Sequence, residues 1–320
     1  MDHVGANLVR WLFVLDPLEQ LKWESDTSLA IVEAVVELGD EAWYTTLDEM
    51  HLDIDSGPWA TGYRFGQCNP LQNAISVDPP AKVKLQDFGR IFMRKDPPFN
   101  MEYIYATYVL EAAERLGVGV INGPQGLRDC NEKVYALQFP ELCPATSISR
   151  NPAVIMDFIR AQPEHAICKP LDLMGGRGVQ LVRRDDPNLA QIVEQATKSG
   201  TERVMVQAFI EEAMNGDKRI LLTDREVIGA FVRVPPEGDF RGNLSQGATA
   251  HQVSLNSRDK EIVAALIDDL ESRGQRFIGI DIIGPYLTEI NVTSPMGIRE
   301  LDELYGMRHG PKIVELLRKS

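Results

Sequence analysis

The chain has 320 residues, room for about two domains at roughly 150 residues each. It carries 33 Lys and Arg against 47 Asp and Glu, a net charge of −14, so most of its surface repels nucleic-acid phosphates and anionic lipid. Four cysteines (Cys68, Cys130, Cys143, Cys168) without a CxxC pair, and five scattered histidines, exclude a zinc pattern and a disulfide scaffold and fit a reducing cytosol. The early apolar run at residues 11–15 falls far short of the roughly 18 residues a membrane span needs. The N-terminus carries Asp2 and lacks a basic stretch leading into an apolar one, which argues against a secretory leader. The expectation is a cytoplasmic protein with no nucleic-acid or membrane partner.

In chain order, residues 11–15 form a short continuous apolar run ended by Asp16-Pro17, the pattern of a strand buried on both faces. Asp26 is placed to cap a helix whose apolar face carries Leu29, Val32, Val35 and Val36, with Gly39 as its stop. Residues 51–82 have weak periodicity and several Pro and Gly, and read as mixed strand and loop. A strand is predicted at 90–94, a helix at 101–116 and a strand at 118–122, closed by the break Asn122-Gly123-Pro124. Strand and helix alternate, which implies an α/β domain with a mainly parallel sheet over residues 1–123.

Beyond the break, helices are predicted at 129–138, 153–160 and 189–197, and strands at 166–170, 179–182 and 204–210. Paired strands follow at 219–222 and 227–234, then a Gly- and Pro-rich loop at 235–250, a helix at 260–272, a hairpin at 277–283 and 287–292, and a closing helix at 311–318.

Three groups of residues carry chemistry. Asp281 lies on the first arm of the 277–292 hairpin; Glu289 and Asn291, two apart, share a face of the second. A three-residue loop, Gly284-Pro285-Tyr286, pairs Ile283 with Leu287 and sets Asp281 opposite Glu289, so that all three oxygen ligands converge. Such hard ligands suit Mg²⁺ shared with nucleotide phosphates; the rival reading is a solvated hairpin face. Second, Lys169 ends a strand just before the Gly-rich turn Met174-Gly175-Gly176-Arg177-Gly178, where backbone amides can approach a phosphate. A plain β-hairpin is the more common explanation for such glycines, and neither GxxxxGK[ST] nor a post-strand GxGxxG is present. Third, Lys218, Arg219, Arg233 and Arg241 fit a local anion pocket or scattered surface charge. No GxSxG and no HRD-type loop supports a hydrolase or a kinase.

Taken together, Leu15-Asp16-Pro17-Leu18, Met93-Arg94-Lys95-Asp96-Pro97-Pro98-Phe99, Leu127-Arg128-Asp129-Cys130-Asn131-Glu132-Lys133 and Lys169-Pro170-Leu171-Asp172 resemble segments of prokaryotic glutathione synthetase. Gly216-Asp217-Lys218-Arg219, Arg241-Gly242-Asn243-Leu244, Asp281-Ile282-Ile283-Gly284 and Thr288-Glu289-Ile290-Asn291-Val292-Thr293-Ser294-Pro295 do the same, in the family's order and over nearly the whole chain. The resemblance implies an ATP-grasp domain over residues 124–320, with a small lid subdomain at about 133–206, and a homotetramer. It implies ATP-dependent ligation of γ-glutamylcysteine with glycine through an acyl phosphate. It places Lys133, Lys169, Gly175, Gly176, Gln207, Ala208, Phe209, Ile210, Asp217 and Lys218 on the nucleotide. Arg219, Arg233, Arg241 and Asn243 fall on the substrates, with Arg219 and Arg233 catalytic, and Asp281, Glu289 and Asn291 on Mg²⁺, with Mn²⁺ as a substitute. The stretches at 174–178 and 236–250 would close as lids. Leu244-Ser245-Gln246-Gly247-Ala248 and Met296 depart from the family's pattern. The alternatives are an ATP-grasp ligase with another acceptor and a nucleotide-binding protein without turnover.

Overall fold

The structure, a computed structural model, describes residues 8–69 and 74–319. Asp2 and residues 70–73 of the mixed stretch at 51–82 lie outside the described residues, and nothing is described of the Cys68 side chain.

The chain opens with β1 (Arg10–Val14), α1 (Thr27–Glu37) and β2 (Glu41–Thr45). Trp11 and Phe13 enter one hydrophobic cluster and Leu12 and Val14 another, so the apolar run is a strand covered on both faces. The Asp26 carboxylate accepts the Leu29 amide at 2.8 Å, the predicted helix cap. Next come β3 (Met50–Asp53), β4 (Gly57–Asn69), β5 (Ala74–Val77), β6 (Ala81–Lys84), β7 (Arg90–Met93), α2 (Met101–Glu114) and β8 (Gly119–Ile121). The sheet runs β3-β4-β2-β1-β7-β8, with β5 and β6 also on β4. Its β2-β1-β7-β8 centre is parallel, as expected, while every partner of β4 is antiparallel. The mixed reading of 51–82 therefore gives way to a nearly continuous antiparallel extension. Gly57, Gly62, Gly66 and a register shift along β4 break the alternation that would have announced it.

The helix expected at 129–138 is not formed. Instead α3 (Pro124–Asp129) starts on the predicted break, with Pro124 in its first turn. The Asn131 side chain then accepts the amides of Lys133 and Val134, and this local turn outcompetes the helix. A short 3₁₀ turn, Tyr135–Gln138, is all that follows.

A separate four-stranded sheet is built from β9 (Thr146–Ser149), β10 (His165–Pro170), β11 (Gln180–Arg183) and β12 (Val204–Ala208), in the order β11-β10-β12-β9, all antiparallel. With α4 (Pro152–Ala161) and α5 (Leu189–Ala196) it encloses its own small core of Ile155, Ile159, Val182, Val193 and Val206.

The last sheet holds β13 (Asp217–Thr223), β14 (Glu226–Val234), β15 (Thr249–Gln252), β16 (Phe277–Ile283) and β17 (Tyr286–Asn291), ordered β15-β14-β13-β16-β17. Helices α6 (Ser257–Ser272), α7 (Ile298–Tyr305) and α8 (Gly310–Arg318) complete it. The loop expected at 235–250 thus ends in a strand, and α7 was not foreseen. Leu110 and Leu127 share one cluster with Ile262, Ile278 and Ile290, which fuses the first and last sheets. Asn122, just after β8, reinforces that junction: it donates to the carbonyls of Phe277 and Val292 and accepts from the amides of Arg276 and Phe277, all at 2.7–2.8 Å.

Candidate active site

The 277–291 hairpin sets the site. Its loop is two residues, Gly284-Pro285, not three: Ile283 pairs with Tyr286. Gly284 takes φ +54°, which a glycine adopts without strain. A bulge at Thr288 then inserts one residue, so Asp281 still faces Glu289 and Gly279 faces Asn291. The Thr288 hydroxyl donates to the Asp281 carbonyl at 3.1 Å and locks the bulge. Two deviations from the expected register cancel, and the three oxygen-bearing residues share one face.

Asp281 is fully engaged. Arg219 Nε and Nη2 donate to its two oxygens at 2.5 and 2.8 Å, Arg233 Nη2 lies 3.0 Å from Oδ2, and Asn291 Nδ2 donates to Oδ2 at 3.3 Å. Burial raises its carboxyl pKa, but Arg219 and Arg233 together overcome that and hold it well below the usual carboxylate range. Arg233 also grips Asp217 through both oxygens, at 2.6 Å each. Burial works against the Arg233 charge, and the two carboxylates more than restore it. Glu289 turns to the other side of the site, with its Oε1 3.7 Å from Lys169 Nζ and 4.0 Å from Lys133 Nζ. Lys133 donates to the Leu173 carbonyl at 2.8 Å, just ahead of the Gly-rich turn. Lys169 is buried, which lowers its pKa; Glu289 opposes the shift and Lys133 adds to it.

All of these residues border one cleft of about 520 Å³, a volume suited to a nucleotide-sized ligand. Gly175, Gly176, Gln207, Ala208, Phe209, Ile210, Arg241 and Asn243 line it as well. Gly175 and Gly176 have φ of +66° and +72°, and a side chain on Gly176 would collide with Asn243. Gln246 Nε2 donates to the Gly175 carbonyl at 3.4 Å, so the turn at 174–178 and the stretch at 236–250 meet over the cleft. Six cations, Lys22, Lys133, Lys169, Arg219, Arg233 and Arg241, line the cleft against five acids in a chain of net charge −14.

Lys218 is the exception among the expected residues and does not line the cleft. Alternation along β13 sends Asp217 and Arg219 inward and Lys218 to the opposite face, where its ammonium pairs with the buried Asp259 of α6. Among the cleft residues that were not expected from the sequence are three beside the hairpin or on α7. Glu132 accepts from the Thr293 hydroxyl at 2.6 Å and its amide at 3.4 Å; Thr293 itself is the second; Glu300 comes from α7. Glu132 adjoins Lys133 and could have been suspected, whereas Glu300 sits in a helix whose period was not recognised.

Two carboxylates and an amide rooted on one face of the hairpin are the donor types a hard divalent cation takes, although here Asp281 is held by Arg219, Arg233 and Asn291 and Glu289 faces the two lysines. Among the described residues no three His, Cys, Asp or Glu side chains cluster as a metal site. Among the described residues, too, no helix is long and apolar enough to cross a membrane.

The architecture is that of the ATP-grasp ligases. D-cycloserine synthetase DcsG superposes with a TM-score of 0.67 at 14% identity, covering 97% of this chain and 99% of that one. A RimK domain ATP-grasp protein from Sphaerobacter thermophilus gives 0.62 at 17%, covering 96% and 99%. The models of the prokaryotic glutathione synthetase N-terminal and ATP-grasp domains match residues 9–128 and 132–306. Glutathione synthetases from Synechocystis sp. and Pseudomonas aeruginosa are 41% and 38% identical to the chain. The first alignment covers 96% of this chain and 98% of the relative, the second 97% of each. A third, from Gloeobacter violaceus, is 42% identical over 96% of this chain and 95% of its own length. The chain belongs to the prokaryotic glutathione synthetase family, whose ATP-grasp chemistry uses ATP and a divalent metal.

Proposed function

We propose that the protein is a glutathione synthetase: it joins γ-glutamylcysteine to glycine with ATP, through an acyl phosphate, and releases ADP and phosphate. The observation that carries this reading is the Arg219–Asp281–Arg233–Asp217 network facing Lys133 and Lys169 across one cleft. A carboxylate is a poor electrophile, and converting it to a mixed anhydride with phosphate gives it a good leaving group. Nearly all of the catalysis is then positioning and charge stabilisation.

In this reading Lys133 and Lys169 hold nucleotide phosphates, assisted by the backbone of Gly175 and Gly176. Gln207, Ala208, Phe209 and Ile210 face the base, and Asp217 faces the ribose or adenine side. Arg219 and Arg233 bind the dipeptide's carboxylate and the transferring phosphoryl group, and Arg241 and Asn243 lie on the substrate side. Asp281, Glu289 and Asn291 hold Mg²⁺, with Mn²⁺ as a substitute. The bound cation neutralises the phosphate oxygens on which charge develops. The four-stranded sheet belongs to a lid subdomain at about 133–206, within an ATP-grasp domain at 124–320 that follows an N-terminal domain at 1–123. The turn at 174–178 and the stretch at 236–250 exclude water that would hydrolyse the anhydride. The working form is a cytoplasmic homotetramer. A coupled assay for ADP with ATP, Mg²⁺, the dipeptide and a panel of amines tests the reaction. Glycine-dependent ADP and glutathione are expected, and ADP release with another amine only would overturn it.

A further inference from the structure

Five acidic side chains line the cleft, and four of them are already answered. Asp217 and Asp281 are held by Arg233 and Arg219, Glu289 faces two lysines, and Glu132 accepts from Thr293. Glu300 differs. It lies on the first turn of α7, lines the cleft, and has its Oε2 buried without a hydrogen-bond partner among the described residues. Its seat is firm, because Gly297 at the start of α7 packs so tightly on Phe231 that a side chain there would meet the ring at 2.8 Å. Burial raises the Glu300 carboxyl pKa, and its own backbone amide, Arg219 and Arg233 pull it the other way. A half-buried carboxylate with one buried oxygen unanswered is a vacancy for a cationic donor.

We propose that Glu300 binds the ammonium group of the acceptor amine and takes up one of its protons, so that the free amine is positioned to attack the acyl carbon and displace phosphate. This inference rests on the reaction proposed above. The dipeptide also carries an ammonium group, but at the end of the molecule remote from its reacting carboxyl. The acceptor's nitrogen is the atom that must come up to the acyl carbon, and Glu300 stands beside the arginines assigned to that carbon's phosphoryl group.

The test is the isosteric variant Glu300→Gln in the full chain, with ATP and Mg²⁺. The glycine KM should rise about ten- to a hundredfold, the range expected for one charge-assisted hydrogen bond, while the KM values for ATP and the dipeptide hold. Glu300→Asp should recover part of the loss. Hydroxylamine, largely uncharged at neutral pH, should trap the acyl phosphate as a hydroxamate equally fast in wild type and variant. An unchanged glycine KM, a rise in the dipeptide KM instead, or a parallel fall in hydroxamate formation would each overturn the role of Glu300. If the wild type itself makes no glutathione, the proposed reaction fails first and takes this role with it.

Discussion

Arg233 binds two carboxylates at once, the buried Asp281, which Arg219 also holds, and the half-buried Asp217, whose ion pair it supplies. Replacing it strands a charge. Arg233→Ala should therefore raise the dipeptide KM and also lower folding stability by about 3–5 kcal/mol, measured by urea unfolding. Glu289 is less entangled and partly exposed. Glu289→Gln should leave the urea midpoint nearly unchanged and lower turnover by orders of magnitude, because it removes a charged contact to the cation proposed to neutralise the phosphate oxygens; near-normal turnover would contradict its assignment. Glu132 makes a pH prediction. Burial pushes its carboxyl up, so its charged form weakens the fold at neutral pH and its protonated form does not. Glu132→Gln should raise the melting temperature at pH 8. That gain should shrink as the pH falls through the raised folded-state value, and vanish below the ordinary Glu range.

The 277–291 hairpin shows how an element can be read correctly for a partly mistaken reason. The alternation of Glu289 and Asn291 was visible, as was their pairing with Asp281, but the two-residue loop and the bulge at Thr288 were not. Turn length depends on backbone angles that Gly-Pro-Tyr leaves open, and a bulge has no composition of its own. The pair makes a sharp prediction. Deleting Thr288 removes the extra residue and leaves a regular ladder in which Leu287 still pairs with Ile282 and Glu289 still faces Asp281. The deletion should therefore cost less turnover than Glu289→Gln, while circular dichroism still reports a folded chain; a larger loss than Glu289→Gln would show that the bulge itself sets the site. The same limit explains the failed helix at 129–138, where one asparagine side chain capturing two amides outweighed a favourable apolar spacing. Strong periodicities survived: α1 with its Asp26 cap, the strand at 10–14 and the hairpin arms were all readable.

At the scale of the molecule, most of the residues that meet at the cleft were legible because they come as short motifs strung along the chain. The sequence did not show that Lys218 faces away, since the partner that fixes its direction, Asp259, lies on a helix 41 residues later. Nor did it show that the glycine turn and the 236–250 stretch touch, a contact between elements 71 residues apart at Gln246 and Gly175. That contact predicts linked behaviour. Addition of ATP and Mg²⁺ should slow hydrogen exchange in both segments together, whereas protection of one alone would separate them.

Asn122 has a consequence for how the chain is made. Its side chain is satisfied only by backbone between residues 276 and 292, more than 150 positions downstream. During synthesis the first sheet must emerge and wait with that amide open until the segment at 276–292 has left the ribosome. Nascent chains stalled before residue 276 should thus remain open to protease at β8, however complete the strands before it already are.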